Sequence, residues 1–198
     1  MAQTGAMSDE ASGEGAVRDA TGESDPPGAD PHILGPDLLP TPFTAEEIRA
    51  AAGTGKTIRL LVELPGGERF ERVNRFSDCD AEGATLEQWR LDAAGAVDGV
   101  VTSERVTWRE LQEHAAFPAE HTSRTSTTLA LAEGGLGTVE CLHYEARHGD
   151  GDAAQASRFW FALDHPGMPV RYEIPTPSGV VRTTVVAVER DAPEALVE

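Results

Sequence analysis

The sequence has few basic side chains. Its 198 residues contain 16 lysines and arginines against 34 aspartates and glutamates, which gives a formal net charge of −18. Nucleic acid is recognised through a basic footprint that neutralises phosphates, and an anionic membrane surface attracts basic segments in the same way. We therefore expect no nucleic-acid partner, and the charge also disfavours an anionic membrane surface.

The chain also lacks long apolar runs and has only two cysteines. No stretch reaches the roughly 18 apolar residues that a membrane-spanning helix needs, so no membrane insertion is expected. The first ten residues have neither a basic nor an apolar segment, so the sequence predicts no secretory signal. Two cysteines, Cys79 and Cys141, are too few for a disulfide framework in a chain of this length. Together these absences predict a cytoplasmic protein with reduced thiols.

Large apolar side chains are nearly absent from residues 1–40, which are rich in Gly, Ala, Ser, Pro and acidic residues. Such a segment cannot bury enough surface to offset its conformational entropy. We therefore expect a disordered acidic tail over residues 1–40 and a single β-rich domain over residues 41–190. Residues 191–198 are expected to form a frayed C-terminus.

Two capping boxes, in each of which a threonine stands three residues before a glutamate, predict two short helices. The boxes begin at Thr44 and Thr107, and each follows a large apolar residue that can pack on the first helical turns. A glycine follows the first helix and a proline the second, and both residue types favour helix ends. The predicted helices span about Thr44–Ala52 and Trp108–Ala116.

Short alternating apolar runs, separated by turn residues, predict the strands. Four runs lie between residues 57 and 106, a threonine-rich run covers residues 123–132, and four more lie between residues 138 and 188. Most of these connections are too short for a parallel crossover, so neighbouring strands must be antiparallel. The predicted fold class is α+β and mainly β: one large curved antiparallel sheet, a half-barrel-like meander of about nine strands in sequential order, with two short helices.

Two fragments imitate ligand-binding loops but lack essential residues. Residues 55–57 read Gly-Lys-Thr, yet Ala50 occupies the place of the first glycine of a phosphate-binding loop, and the order helix, loop, strand is inverted. Residues 78–83 resemble the first half of a calcium loop, but Trp89 stands where the bidentate glutamate belongs. We therefore predict no cofactor and no metal.

Cys141 and His143 lie on one face of a predicted strand, because side chains alternate with a period of two. A thiol beside an imidazole can begin a metal site or form a nucleophile–base pair. No Cys-x-x-Cys or His-x-x-x-His motif supplies further ligands, so a buried cysteine beside a structural histidine is the simpler interpretation. A hydrolase or transferase that uses this pair is the alternative.

Aromatic residues make up only 6% of the chain and are concentrated in the predicted sheet and at the start of the second helix. Aromatic side chains dominate ordinary cores, and they also line concave faces that hold apolar ligands. The side chains predicted to contact a ligand are Trp89, Trp108, Cys141, His143, Trp160 and Tyr172.

The segment 137–188 carries a resemblance to known proteins. It reads Gly-Thr-Val-Glu-Cys-Leu-His-Tyr at 137–144, Phe-Trp-Phe-Ala at 159–162 and Pro-Gly-Met-Pro-Val at 166–170. This pattern is similar to one in uncharacterised bacterial β-rich proteins, which in outline resemble the half-barrel of LolA-like lipoprotein carriers. The resemblance implies an apolar ligand held in a concave sheet face.

The leading functional hypothesis is a soluble, non-enzymatic module that holds an apolar small molecule or a protein partner in the concave face of its sheet. The first alternative is the Cys/His-dependent hydrolase or transferase. The second alternative is an oligomeric protein-interaction protein. No sequence motif identifies the ligand.

Overall fold

The computed structural model describes residues 30–131, 135–149 and 155–191. These residues form nine strands, two α-helices and one short 3₁₀ turn. The elements, in chain order, are α1 (Ala45–Ala51), β1 (Lys56–Glu63), β2 (Arg69–Ser77), β3 (Gly83–Leu91), β4 (Val97–Thr107), α2 (Trp108–Glu113), the 3₁₀ turn Ala119–His121, β5 (Thr122–Leu131), β6 (Gly137–His148), β7 (Gln155–Ala162), β8 (Arg171–Thr176) and β9 (Gly179–Arg190). The predicted fold class, one large antiparallel sheet with two short helices, is confirmed, and the sheet is not closed.

The strand order across the sheet is β4-β3-β2-β1-β9-β8-β7-β6-β5. Two sequential meanders, β1 to β4 and β5 to β9, are joined where β1 pairs with β9, from Lys56 opposite Arg190 to Glu63 opposite Arg182. The predicted sequential order is therefore wrong at one place, because β4 and β5 lie at opposite edges of the sheet. The chain between them contains α2 and the 3₁₀ turn, which provide the length for this crossing.

Both helices begin at the predicted capping boxes. The Thr44 hydroxyl accepts a hydrogen bond from the backbone N–H of Glu47 at 3.2 Å, and the Glu47 carboxylate accepts one from the backbone N–H of Thr44 at 2.8 Å. The same reciprocal pair links Thr107 and Glu110 at 3.1 and 2.7 Å. Each box satisfies two backbone donors that a helix start would otherwise leave unpaired, which explains why such short helices form. None of the helices in the described ranges is long and apolar enough to cross a membrane.

Residues 30–40, which the sequence assigned to a disordered tail, form hydrogen bonds with later parts of the chain. The backbone N–H of Leu39 donates to the carbonyl of Phe117 at 2.9 Å, and the Tyr144 hydroxyl donates to the carbonyl of Pro40 at 2.7 Å. The fully buried amide of Gln112 donates to the carbonyl of Pro31 at 2.8 Å. These bonds hold residues 30–40 against α2 and β6, and the expected division of the chain into a tail, a domain and a frayed end stays a prediction. The rest of the expected tail, residues 1–29, and the expected frayed residues 192–198 lie outside the described residues.

The two faces of the sheet differ in what covers them. On the helix face, which α1 and α2 cover, lie the fully buried side chains of Leu60 and Tyr144. Side chains of opposite parity form the outer face. A row of directly paired charged residues, which we call the ion row, crosses this outer face over six neighbouring strands. The ion row consists of Glu145, Arg158, Glu173, Arg182, Glu63 and Arg69.

Candidate functional site

A cavity of about 300 Å³, partly open to solvent, lies between the helix face of the sheet and the two helices. Strands from both meanders line the cavity on the side of the sheet, because the curvature of the sheet brings β2 and β3 towards β7 and β8. The main apolar side chains on this side are Phe76, Leu86, Phe159, Phe161, Tyr172 and Ile174. The volume is at the lower end of the range for small-molecule sites, and the predominantly apolar lining is typical of them.

The opposite side of the cavity is built from the helices and the segment before α1. Phe43 and Ile48, which the first capping box positions, line it together with Leu111 and Ala115 from α2 and the residues that follow it. Phe43 packs edge-on against Phe161 with ring centroids 6.4 Å apart. The short amphipathic helices therefore act as a cover that faces the aromatic residues of the sheet.

Asn74 is the most deeply buried polar side chain that the sheet contributes to the cavity, with an exposed fraction of 6%. Its amide nitrogen is 3.7 Å from the Met168 sulfur, and its Oδ1 has no hydrogen-bond partner among the described residues. Arg72, two residues earlier on the same face of β2, donates from Nη2 to the Tyr172 hydroxyl at 3.1 Å. The Nε of Arg72 is buried and also lacks a partner in the described part of the chain.

Of the six residues predicted to contact a ligand, Tyr172 lines the cavity. It lies on the helix face of β8, directly opposite Phe159 of β7. The two rings are nearly parallel, with centroids 6.4 Å apart and an interplanar angle of 23°. Tyr172 therefore combines an aromatic wall for the cavity with a hydroxyl group that contacts Arg72.

Trp89 and Trp108 do not line the cavity. Trp89 is on the outer face of β3, because its neighbour Gln88 faces the cavity, and it lies directly opposite the buried Val73 of β2. Trp108 is buried at the start of α2, where its indole N–H donates to the carbonyl of Asp80 at 3.0 Å. Trp108 therefore anchors α2 to the β2–β3 loop.

Cys141, His143 and Trp160 also lie away from the cavity. The His143 imidazole stacks on the Trp160 indole, with centroids 4.6 Å apart and an interplanar angle of 21°. Burial raises the pKa of the Cys141 thiol to about 11 and lowers the pKa of His143. A raised thiol pKa is the opposite of what an activated nucleophile needs, because the thiolate is the reactive form.

No group of three or more histidine, cysteine or acidic side chains within the described ranges is arranged to hold a metal ion. The two cysteines are both free, with Cys79 half-buried and Cys141 buried. Asp80, in the loop that imitates a calcium site, instead accepts hydrogen bonds from the backbone N–H groups of Glu82 and Gly83, and these bonds hold the pKa of its carboxyl below the ordinary value. This loop is therefore organised by its own backbone.

Sequence reasoning missed Asn74, Leu86 and Gln88 as cavity residues. A signal for Asn74 exists in the alternation of β2, where positions 70, 72, 74 and 76 share one face. This row reads Phe, Arg, Asn, Phe, so polar side chains interrupt a face that is otherwise aromatic. Such an interruption marks a buried polar site, but it becomes recognisable only once the face that the helices cover is known.

Comparison with known proteins identifies no family for this chain. No protein-family model matches it, and no curated protein matches it significantly. A solved structure that matches is that of a Bacteroides fragilis NCTC 9343 protein, described as a candidate exported protein with a YmcC-like fold. The two chains share 12% sequence identity, the match covers 70% of this chain and 97% of the other, and the TM-score is 0.39. This similarity is too distant to carry an argument about function.

Proposed function

We propose that this protein is a binding module that holds an apolar small molecule in the cavity between its sheet and its helices. The cavity carries the proposal: about 300 Å³, lined mainly by apolar side chains from the sheet on one side and from the helices on the other. The likeness of this architecture to a LolA-like half-barrel with an apolar concave face is part of the same proposal. So is the cytoplasmic location expected from the sequence.

The lining favours apolar contacts. The aromatic side chains Phe159, Phe161 and Tyr172 provide large surfaces for a ligand to cover. Burial of apolar surface contributes roughly 25 cal/mol per Å², so a ligand that buries about 250 Å² gains roughly 6 kcal/mol before the cost of association is subtracted. We therefore expect dissociation constants in the micromolar to millimolar range.

The enzymatic alternative lacks a comparable observation. The thiol that would act as nucleophile, Cys141, is 1% exposed and its pKa is raised by burial. His143 is engaged in stacking with Trp160. These features favour a structural role for both residues, and the binding module is therefore the better-supported function.

Titration with N-phenyl-1-naphthylamine, a neutral dye whose fluorescence increases in apolar surroundings, tests the proposal. Leu86 and Glu87 are neighbours on β3 and face the cavity and the outer face respectively. We expect saturable fluorescence enhancement in the wild type. Leu86→Trp places a larger side chain in the cavity and should weaken dye binding at least tenfold, whereas Glu87→Trp should leave it within twofold of wild type.

Two results would reject the binding module. One is the absence of saturable enhancement in the folded wild-type protein. The other is equal weakening by Leu86→Trp and Glu87→Trp, because that would place the dye outside the cavity. Thermal unfolding of each variant confirms that it is folded before the titrations are compared.

A second candidate, self-association or protein-partner binding, is favoured by a specific feature of β4. This strand lies at one end of the sheet order, and the side chains of Val97, Val100 and Val101 are exposed, Val100 to 82%. A long edge strand with exposed apolar side chains offers unpaired backbone groups to another strand. The occupant that this edge fits best is the same edge of a second copy, which would extend the sheet.

Light scattering at several concentrations tests self-association. If β4 pairs with its copy, the mass should rise towards twice the 21.0 kDa of the monomer. Val100→Lys should restore the monomer, because charges on an edge strand oppose pairing. Val180→Lys, at an exposed position near the start of β9, serves as the control. A monomer at every concentration would reject this candidate and leave the cavity proposal unaffected.

A further inference from the structure

The side-chain oxygen of Asn74, which has no hydrogen-bond partner among the described residues, indicates which kind of group the ligand carries. Nearly all buried polar groups in proteins have a hydrogen-bond partner, so each exception needs an explanation. Asn74 is 94% buried, lines the cavity and has no partner for Oδ1 among the described residues, while its amide nitrogen is held 3.7 Å from the Met168 sulfur. The oxygen is an acceptor, so the matching ligand group must be a donor.

A second unpartnered group lies close to the first. Arg72 and Asn74 are two residues apart on the helix face of β2, and the buried Nε of Arg72 also lacks a partner in the described ranges. The other end of the guanidinium group is fixed by its bond to the Tyr172 hydroxyl, and Tyr172 is itself part of the cavity lining. Arg72 itself is not among the residues that line the cavity, so the unpartnered group that the cavity offers is the acceptor Oδ1 of Asn74, beside a lining that is otherwise mainly apolar.

A hydroxyl group is the simplest neutral ligand group that complements this acceptor, because its O–H can donate to Oδ1 of Asn74. An ether can accept but cannot donate. A carboxylate also only accepts, so it cannot complement Oδ1.

We infer that the cavity takes a neutral, apolar molecule that carries one hydroxyl group, with the hydroxyl donating to Oδ1 of Asn74. This inference rests on the proposed function and specifies its ligand class. A cavity of about 300 Å³ corresponds to roughly ten water volumes of about 30 Å³ each, which suits a chain of about ten heavy atoms. A straight-chain alcohol of that length is the matching probe.

Displacement of N-phenyl-1-naphthylamine by three ten-carbon probes tests the inference. The probes are 1-decanol, its isomer nonyl methyl ether and, at pH 8, decanoate. In the wild type we expect 1-decanol to bind about tenfold more tightly than either of the others, the effect of one well-made hydrogen bond to a buried group. In Asn74→Leu the preference for the alcohol over the ether should fall below twofold, because the acceptor is gone.

Gln88→Leu is the matched control, since it removes another amide that lines the same cavity. The tenfold preference should survive in this variant. Three results would overturn the hydroxyl inference and leave the binding module standing. They are binding of the probes without a preference for the alcohol, a preference for decanoate, and loss of the alcohol preference in Gln88→Leu instead of Asn74→Leu. Failure of every probe and of the dye to bind the folded protein would overturn the proposed function, and the inference with it.

Discussion

The two faces of this sheet, built by the same strands, differ in the side chains that they present. On the helix face, neighbouring strands present apolar side chains that are buried under α1 and α2, and the polar groups of Asn74 and Arg72 are exceptions. On the outer face, the ion row alternates acidic and basic residues over six strands, so every charge in its interior has an oppositely charged neighbour on each side. The chain thus pairs its charges on the outer face. Of the four buried side-chain atoms that lack a partner in the described residues, three lie on the helix face and one, His143 Nε2, lies on the outer face.

This contrast indicates where binding function can reside. Cross-strand ion pairs of the outer face are mutually satisfied and need no further partner. Unpaired buried polar atoms cost free energy, and proteins retain them mainly where they have a use. We therefore expect a ligand to have most to add on the helix face, which carries three of these four atoms and also the cavity.

The largest effect is expected from the core of the helix face. Leu60 is fully buried there, while its neighbour Leu61 lies half-buried on the outer face. Leu60→Ala should lower the free energy of unfolding by about 3 kcal/mol, because it removes buried methyl groups and leaves a cavity. Leu61→Ala should cost about 1 kcal/mol. Urea unfolding measures both, and equal losses would show that the two faces do not differ in their contribution to stability.

A buried charge on the helix face should make stability depend on pH. Burial, with a smaller contribution from the nearby Arg190, lowers the pKa of Lys56 from 10.5 to about 8 in the folded protein. The unfolded chain therefore binds more protons between pH 8 and 10.5, so the folded state gains stability as the pH rises through this window. The gain attributable to Lys56 should approach about 3 kcal/mol.

The measurement is the difference in unfolding free energy between wild type and Lys56→Met at pH 7.5, 8.5 and 9.5. This difference removes the contributions of other titrating groups, including Cys141, whose raised pKa has the opposite effect above pH 9. We expect the free energy of unfolding of the wild type, relative to that of the variant, to increase at each higher pH. A constant difference over this range would mean that Lys56 titrates in the folded protein as it does in the unfolded chain.

Cys141 is an exception to the exposed character of the outer face, and its reactivity tests this placement. A pKa of about 11, against an ordinary value of 9.0, reduces the thiolate fraction near neutral pH about a hundredfold. In the native protein, iodoacetamide should label Cys141 at least a hundredfold more slowly than a model thiol. The half-buried Cys79 is the internal comparison and should react faster. Fast labelling of Cys141 would instead favour the hypothesis of a Cys/His-dependent enzyme.

The smallest effect is expected from the ion row. Glu173, with a side chain only 15% exposed, contacts both Arg158 and Arg182 and is the best-buried acid of the row. Glu173→Gln should lower the free energy of unfolding by about 1 kcal/mol, and 1 M NaCl should reduce this loss. Glu71→Gln, which removes a single half-exposed partner of Arg59, should cost about half as much. A salt-independent loss would mean that hydrogen bonding or packing, and not charge pairing, holds the row together.

Local elements of this protein were predictable because the chemistry that forms them is local. A capping box involves residues three positions apart, and strand alternation and turn residues act over fewer than ten, so both helices and all nine strands could be located from the sequence. The helix starts at Thr44 and Thr107 are confirmed to the residue. The hydrogen bonds of residues 30–40 with distant partners such as Phe117 and Tyr144 could not be located in this way, because they join parts of the chain that are far apart in sequence.

The candidate site was much less predictable. Sequence reasoning pointed to six residues, but whether a side chain faces the cavity depends on which side of its strand the helices cover. The residues on the other side are Trp89, Cys141, His143 and Trp160. Asn74 attracts no attention as a lone amide in the sequence. It becomes informative only when β2 lies opposite β8, so that Arg72 reaches Tyr172 across two intervening strands.

The sequence by itself determined the identity and approximate positions of the strands and helices, the antiparallel pairing within each meander and the acidic charge. These properties follow from contacts between residues that are near one another in the chain. Only the tertiary structure decided that β1 would pair with β9, that β4 and β5 would lie at opposite edges and that a cavity would form under the helices. Each of these features depends on contacts between strands and helices that are far apart in the sequence. Such contacts form only after the local elements exist, so no single stretch of sequence predicts them.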